Sequence, residues 1–195
     1  MIPGALRELQ SLPRLRLQRC FFLRPAEVVA PELLNKILVV GICTGRIVEV
    51  EAYRQHDPAS HSFRGRTQRN AAMFAPGGHL YVYFTYGMHH CANVVTGVAG
   101  DGQAVLLRAV VPLAGLDVLR PRRPAARRDA DLANGPGKLC QAFALDRSFD
   151  GGDMCSPAAP VWIGADGTAP PVEPRVTERI GIRVGVDLPW RWLAP

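Results

Sequence analysis

The chain has 195 residues, 48% of them hydrophobic and 21% charged, with a net charge of +6. That length and balance suit one globular domain with a real core and leave little room for a second. No signal peptide is expected, because Arg, Glu or Pro breaks every apolar run of MIPGALRELQSLPRLRLQRC, and the longest later run, ILVVGIC, is too short to cross a bilayer. The expectation is a soluble intracellular protein away from any membrane, cytoplasmic in a bacterium or nuclear in a eukaryote, and the compact length and arginine bias favour a bacterium. Five cysteines, odd in number, widely spaced and never in a CxxC pair, argue against a disulfide framework and a zinc site.

In chain order, residues 1–20 read as a loose arm ahead of a single domain over 21–195. PAEVVAPELLNK (25–36) has helical spacing at Val28, Val29, Leu33 and Leu34, with Asn35 placed for a left-handed C-terminal residue. Strands follow at ILVVGI, RIVEVEAY (46–53), HLYVYFTY (79–86), HCANVVT (90–96) and QAVLLRAVV (103–111). Helical signals return at LAGLDVLR and at KLCQAFAL (138–145), the latter after Asn134-Gly135-Pro136-Gly137. Beyond Asp150 loops dominate, with short strand candidates at PVWI and RIGIRVG (179–185). The fold predicted is mixed α and β (α+β): one compact domain with a curved, mainly antiparallel sheet, flanking helices and a protruding β-hairpin.

Of the 23 basic residues 21 are arginine, a bias that suits phosphate contacts but also follows from a GC-rich genome. Their grouping says more: Arg64, Arg66 and Arg69 share one loop, and Arg120, Arg122, Arg123, Arg127 and Arg128 another. Two solvated faces would give the same pattern.

The strand period of two sends Val48, Val50 and Ala52 to one face of RIVEVEAY and Glu49, Glu51 and Tyr53 to the other. Arg108 lies within an apolar run and, if buried, needs an anionic partner, for which Glu49 or Glu51 would serve. A carboxylate and an arginine on adjacent strands can also hold and activate a water. The loop RQHDPASHSFRGRTQRN contains His56, Asp57 and His61 without any metal-binding spacing, so no metal is expected. His61 could instead face Tyr53 across a slot for a planar ring. Tyr86-Gly87-Met88 joins two strand-like segments, placing Tyr86 at a hairpin tip, where apolar wedges enter a base stack. Basic loops, a projecting aromatic and an acidic strand with stacking residues together suggest an enzyme that draws a nucleotide out of a duplex.

RIVEVEAY, PASHS, RTQRNAAMF, LYVYFTYGMHHCAN, AVLLRAV, NGPGKLCQAF and the terminal RIGI with PWRW, in that order and spacing, closely resemble the 3-methyladenine (alkyladenine) DNA glycosylase family from about residue 22 to residue 193. The resemblance implies a single-domain fold, a usually monomeric enzyme without a cofactor, and double-stranded DNA with damaged purines as partner. It implies Glu51 as the general base for the attacking water, with Arg108 helping to hold it. It also implies Tyr53, His61 and Tyr83 as a sandwich for the flipped base, Asn93 as a pocket residue crowding the 2-amino group of guanine, and Tyr86 as the intercalating residue beside Met88. Arg64, Arg66 and Arg69 are expected on the DNA backbone, and Lys138, at the start of its helix, on a phosphate. His89 stands where family members often carry an aromatic. Only Lys36 and Lys138 could supply a Schiff-base amine, and both lie outside the acidic strand and the hairpin, so a monofunctional enzyme leaving an abasic site is expected.

Two other readings stay open on the residues alone. A glycoside hydrolase could use Glu49 and Glu51, roughly 7 Å apart on one strand face, but has no use for the arginine loops. A non-catalytic nucleic-acid binding module needs only Tyr86 and the arginines.

Overall fold

The computed structural model describes residues 15–85 and 87–195. Nine strands run through them: β1 (Leu15–Arg16), β2 (Ile37–Val40), β3 (Cys43–Tyr53), β4 (Leu80–Thr85), β5 (His89–Val95), β6 (Ala104–Ala114), β7 (Val161–Ala165), β8 (Arg175–Thr177) and β9 (Arg191–Leu193). They make one curled antiparallel sheet ordered β1-β7-β2-β3-β6-β5-β4, with β9 also on β3 and β8 outside β9. Four helices complete this α+β domain: α1 (Arg19–Phe22), α2 (Ala26–Leu33), α3 (Leu116–Arg122) and α4 (Pro136–Phe143). The loose arm expected over 1–20 falls largely outside the described residues, as does Tyr86; from Leu15 the backbone pairs with Ala165 on β7.

Strand β3 organises the sheet because three neighbours use it. Along one edge Cys43–Arg46 pairs with β2 and Glu49–Glu51 with β9, while β6 takes the other edge. The β3–β6 register slips three times: Val48 is extra between Ile47↔Val110 and Glu49↔Ala109, Arg108 is extra between Glu49↔Ala109 and Val50↔Leu107, and Leu113 is extra between Thr44↔Ala114 and Gly45↔Pro112. The first bulge corrects the expected alternation. Ile47 takes the core position with Val50 and Ala52, and Val48 is left half-exposed. The second lifts Arg108 out of the ladder, which is how bulges re-aim a side chain.

Helix α2 buries the stripe Ala26, Val29, Ala30 and Leu33, one face at helical spacing, and leaves Val28 exposed, contrary to the expected placement. Asn35 takes the left-handed conformation anticipated for it, at φ 65°. Helix α4 buries Leu139, Cys140, Ala142 and Phe143 in the same core as β5 and β6. The cysteines are free thiols, three of them buried.

RIGIRVG is a loop, not a strand. Gly181 and Gly185 sit at φ 81° and 61°, which extended backbone excludes, and Arg179 Nη2 bonds Gly185 O at 2.9 Å, folding the segment back on itself. Strands β8 and β9 lie on either side of it. Arg179 and Asp57 form a salt bridge with both side chains wholly buried, and Arg179 also donates to Ala52 O, tying this loop to the end of β3 and to the 54–62 loop.

Replacing Phe143, 1% exposed, by alanine should cost about 3–5 kcal/mol of folding free energy, read as a lower urea midpoint at unchanged slope. Asp57→Ala strands a buried guanidinium and should cost a similar amount, about 3–5 kcal/mol; a loss below about 1 kcal/mol in the same titration would mean that water reaches the pair.

Candidate active site

One transverse row of the sheet carries much of the site. Glu51 pairs with Leu106, Leu106 with Asn93, and Asn93 with Tyr81, so four residues from β3, β6, β5 and β4 stand side by side. Directly opposed side chains on neighbouring strands lie close enough to touch. The row borders a cavity of about 240 Å³, whose walls include Tyr53, His61, Met73, Tyr81, Tyr83, Cys91, Asn93, Arg108 and the loop residues Ile180 to Ile182.

Glu51 has no solvent exposure and is satisfied inside the protein. Its Oε2 accepts the Tyr53 hydroxyl at 2.9 Å, and its Oε1 accepts the Ile180 backbone N–H at 2.8 Å and lies 3.2 Å from Arg108 Nη1. Burial, then the adjacent Glu51 charge, pushes the Tyr53 phenol well above its ordinary range, so it stays protonated and donates. Arg108 Nε donates to Glu49 Oε1 at 2.6 Å, and Arg191 Nε donates to the same oxygen at 2.7 Å. With Oε1 on two guanidinium groups, Glu49 is not a free second acid of the kind a glycoside hydrolase would need.

The walls are flat and aromatic. Tyr81 and Tyr83, two apart on β4, share a face and stack with centroids 5.4 Å apart. The His61 ring stands edge-on to Tyr83 at 4.5 Å, and its Nδ1 is 2.9 Å from the Tyr81 hydroxyl. His61 is open on its outer side, yet desolvation by these walls and the charge of Arg69 lower its pKa from the ordinary 6.5, keeping the ring neutral at pH 7. Asn93 Nδ2 donates to Tyr81 O at 3.0 Å, which leaves its Oδ1 as the end available to a ligand. Burial raises Tyr81 to about 12.

The expected pocket residues Tyr53, His61, Tyr83 and Asn93 thus line one cavity with Arg108, and Glu51 lies directly behind Tyr53 and Arg108. Sequence reasoning missed Tyr81, although the period of two from Tyr83 points to it. It also missed Arg179, which stacks on Tyr53 at 4.7 Å and whose neighbour Ile180 supplies the N–H to Glu51. No local signal ties residue 179 to residue 53. The three metal candidates are otherwise engaged: His56 stands edge-on to Trp190, Asp57 holds Arg179, and His61 bonds Tyr81.

The two arginine groups differ. Arg64, Arg66 and Arg69 are exposed, and Arg64 and Arg69 border a hollow of about 300 Å³ that shares His61 and Tyr81 with the cavity. In the second group Arg120 pairs with Asp129 and Arg128 with Asp131, while Arg122 and Arg123 bond backbone carbonyls and Gln141. Much of that charge is neutralised locally. Lys138 is exposed, with Nζ 2.7 Å from Asn134 Oδ1. Met88, beside Gly87 at φ 67°, is 70% exposed at the end of the β4–β5 pair. His89 packs so tightly on Gly137 that a Cβ there would meet its ring at 3.0 Å.

A buried, well-anchored carboxylate beside an aromatic-walled cavity can receive a flat heterocycle and place an anion near the atom that links it to a sugar. The profile of the Methylpurine-DNA glycosylase family matches residues 20–195. A Burkholderia lata protein bearing the provisional name 3-methyladenine DNA glycosylase is 54% identical over 181 residues, covering 92% of this chain and 87% of its own. Proteins with the same provisional name from Streptomyces avermitilis (46% over 186 residues; 92% of this chain, 87% of that protein) and Carboxydothermus hydrogenoformans (44% over 180; 90% and 93%) match along nearly their whole length. With a profile match over all but the first 19 residues and relatives at this identity, the chain belongs to the methylpurine-DNA glycosylase family.

Proposed function

We propose that this DNA glycosylase excises alkylated or deaminated purines from duplex DNA by flipping the nucleotide into the Tyr53–His61 cavity and hydrolysing its N-glycosidic bond. The observation that carries the reading is Glu51, a carboxylate without solvent exposure, held by two hydrogen-bond donors and the Arg108 guanidinium at the edge of an aromatic cavity.

In this reading the purine stacks against Tyr53, His61 and Tyr83, and stacking contributes roughly 1–3 kcal/mol for the base toward the unstacking cost. Stacking accepts any base, so selection falls to edge contacts, to Asn93 beside the 2-amino position, and to the weaker glycosidic bond of a cationic alkylpurine. Water attacks C1′ as the C–N bond breaks; the bonding pair leaves with the purine, and Glu51 takes the water's proton while its charge stabilises the oxocarbenium-like sugar. Arg108 holds the water. The product is an abasic site with an intact backbone, because the only lysines, Lys36 and Lys138, contact Thr168 O and Asn134 and lie outside the cavity walls.

Tyr86 and Met88 fill the space vacated in the stack, and Arg64, Arg66, Arg69 and Lys138 hold backbone phosphates. The enzyme acts as a monomer and needs no cofactor for this step. Its place is the compartment that holds the genome.

Glu51→Gln should lower the rate of base release from a duplex carrying one hypoxanthine, ethenoadenine or 7-methylguanine by about 10²–10⁴-fold, with salt-sensitive DNA binding kept. Strand breaks that need alkali and wild-type enzyme are the expected readout; full activity in the variant would sink the assignment. Alanine at Arg64, Arg66 or Arg69 should weaken binding to any duplex and reduce the slope of log affinity against log salt by about 1 for each phosphate no longer held. Fluorescence anisotropy over a salt series measures it, and three unchanged slopes would remove this loop from the DNA interface.

A further inference from the structure

Glu49 Oε1 accepts two guanidinium groups, Arg108 Nε from β6 at 2.6 Å and Arg191 Nε from β9 at 2.7 Å. All three side chains are mostly buried, and Arg191 is fixed further by Nη1 to Thr177 Oγ1 at 3.1 Å. Arg108 reaches on, with Nη1 3.2 Å from Glu51 Oε1. The result is an alternating series, Arg191, Glu49, Arg108, Glu51, with two positive and two negative charges and no net charge.

The bulge lifts Arg108 out of the ladder, so its direction depends on what grips its guanidinium. A free guanidinium beside a carboxylate closes on it through two parallel hydrogen bonds. Glu49 occupies the Nε edge and leaves a single nitrogen near Glu51. It also counters Arg191, whose charge would otherwise stand unopposed one strand from the carboxylate.

We propose that Glu49 is a positioning residue for base excision, holding Arg108 so that Glu51 Oε2, bonded among the described residues to the Tyr53 hydroxyl alone, keeps a lone pair for the attacking water, and cancelling the charge of Arg191. This rests on Glu51 being the base. The Glu51 side chain faces Glu49 and Tyr53 on its own strand, Arg108 on β6, Cys91 on β5 and the Ile180 N–H, with Arg191 behind Glu49. Glu49→Gln turns this balanced group into one with an excess positive charge. That charge opposes both proton transfer to Glu51 and positive charge on the sugar.

The test is single-turnover release of 7-methylguanine, which leaves without needing a proton, from a duplex, by wild type, Glu49→Gln, Glu49→Gln/Arg191→Gln and Glu51→Gln. Affinity for lesion DNA, melting temperature and the pH–rate profile are read for each. Glu49→Gln is expected to be about ten- to hundredfold slower, with affinity unchanged within about threefold and the acid limb of the profile displaced. The double variant, balanced again in charge but still without the grip on Arg108, should recover part of the rate and bring the acid limb back.

A wild-type rate in Glu49→Gln overturns the proposal and leaves Glu49 a packing residue; a double variant as slow as the single one, its acid limb still displaced, overturns the charge-cancelling role. Should Glu49→Gln fail to fold, Glu49→Asp keeps the charge and shortens the reach. It is expected to be slower with its acid limb in place, and a wild-type rate would again overturn the proposal. Glu51→Gln separates the two failures: if active, the base assignment falls and Glu49 with it; if inactive while Glu49→Gln runs at full rate, only the role of Glu49 falls.

Discussion

A carboxylate sealed from water must be satisfied by the protein, and much of this structure follows from satisfying Glu51. Its three partners come from three places: a phenol two residues along the same strand, a guanidinium on β6, and a backbone N–H in the loop before β9. Each partner is fixed in turn by something else. Arg108 leans on Glu49, the loop with Ile180 is held by Arg179 on Asp57, and Tyr53 packs under the Arg179 guanidinium. Removing any one of these groups unsettles the others, because a half-satisfied buried network is worse than none.

The sheet supplies the precision. Glu51 and three cavity-lining residues, Leu106, Asn93 and Tyr81, occupy one row across four strands, so their spacing is set by backbone hydrogen bonds rather than by loops. Loops contribute what strands cannot: His61 from one side and Ile180 to Ile182 from the other close the walls around that row. The register slips at Val48 and Arg108 between β3 and β6 are part of the same construction. They let a strand in the middle of the sheet turn one arginine out of its ladder while Ile47, Val50 and Ala52 remain in the core.

Much of this was legible in the sequence, and for identifiable reasons. The strand period of two placed Glu49, Glu51 and Tyr53 together, and an arginine among apolar neighbours announced the need for a carboxylate. Long apolar runs such as AVLLRAV located the central strands. The motifs carrying the family resemblance gave the cavity residues, which local patterning alone would not have assembled. What stayed hidden was non-local. A bulge leaves no mark in the pattern of one strand, so Val48 was placed on the wrong face. RIGIRVG alternates like a strand, yet two left-handed glycines and a guanidinium folded onto Gly185 make it a loop. The second arginine group looked like a free basic surface because sequence order does not show which aspartates fold back onto it.

The partners of the acidic strand are drawn from both directions along the chain, but the most distant come late: Ile180 meets Glu51 across 129 positions, and Arg191 meets Glu49 across 142. During synthesis the strand with Glu51 therefore leaves the ribosome long before the segments that complete its surroundings. A nascent chain that has folded β2 to β6 still has an open, incompletely bonded carboxylate and only part of its cavity wall. Closure of the surroundings of Glu51 is in this way tied to near-completion of translation, and a fragment released early carries the acidic strand without its enclosure.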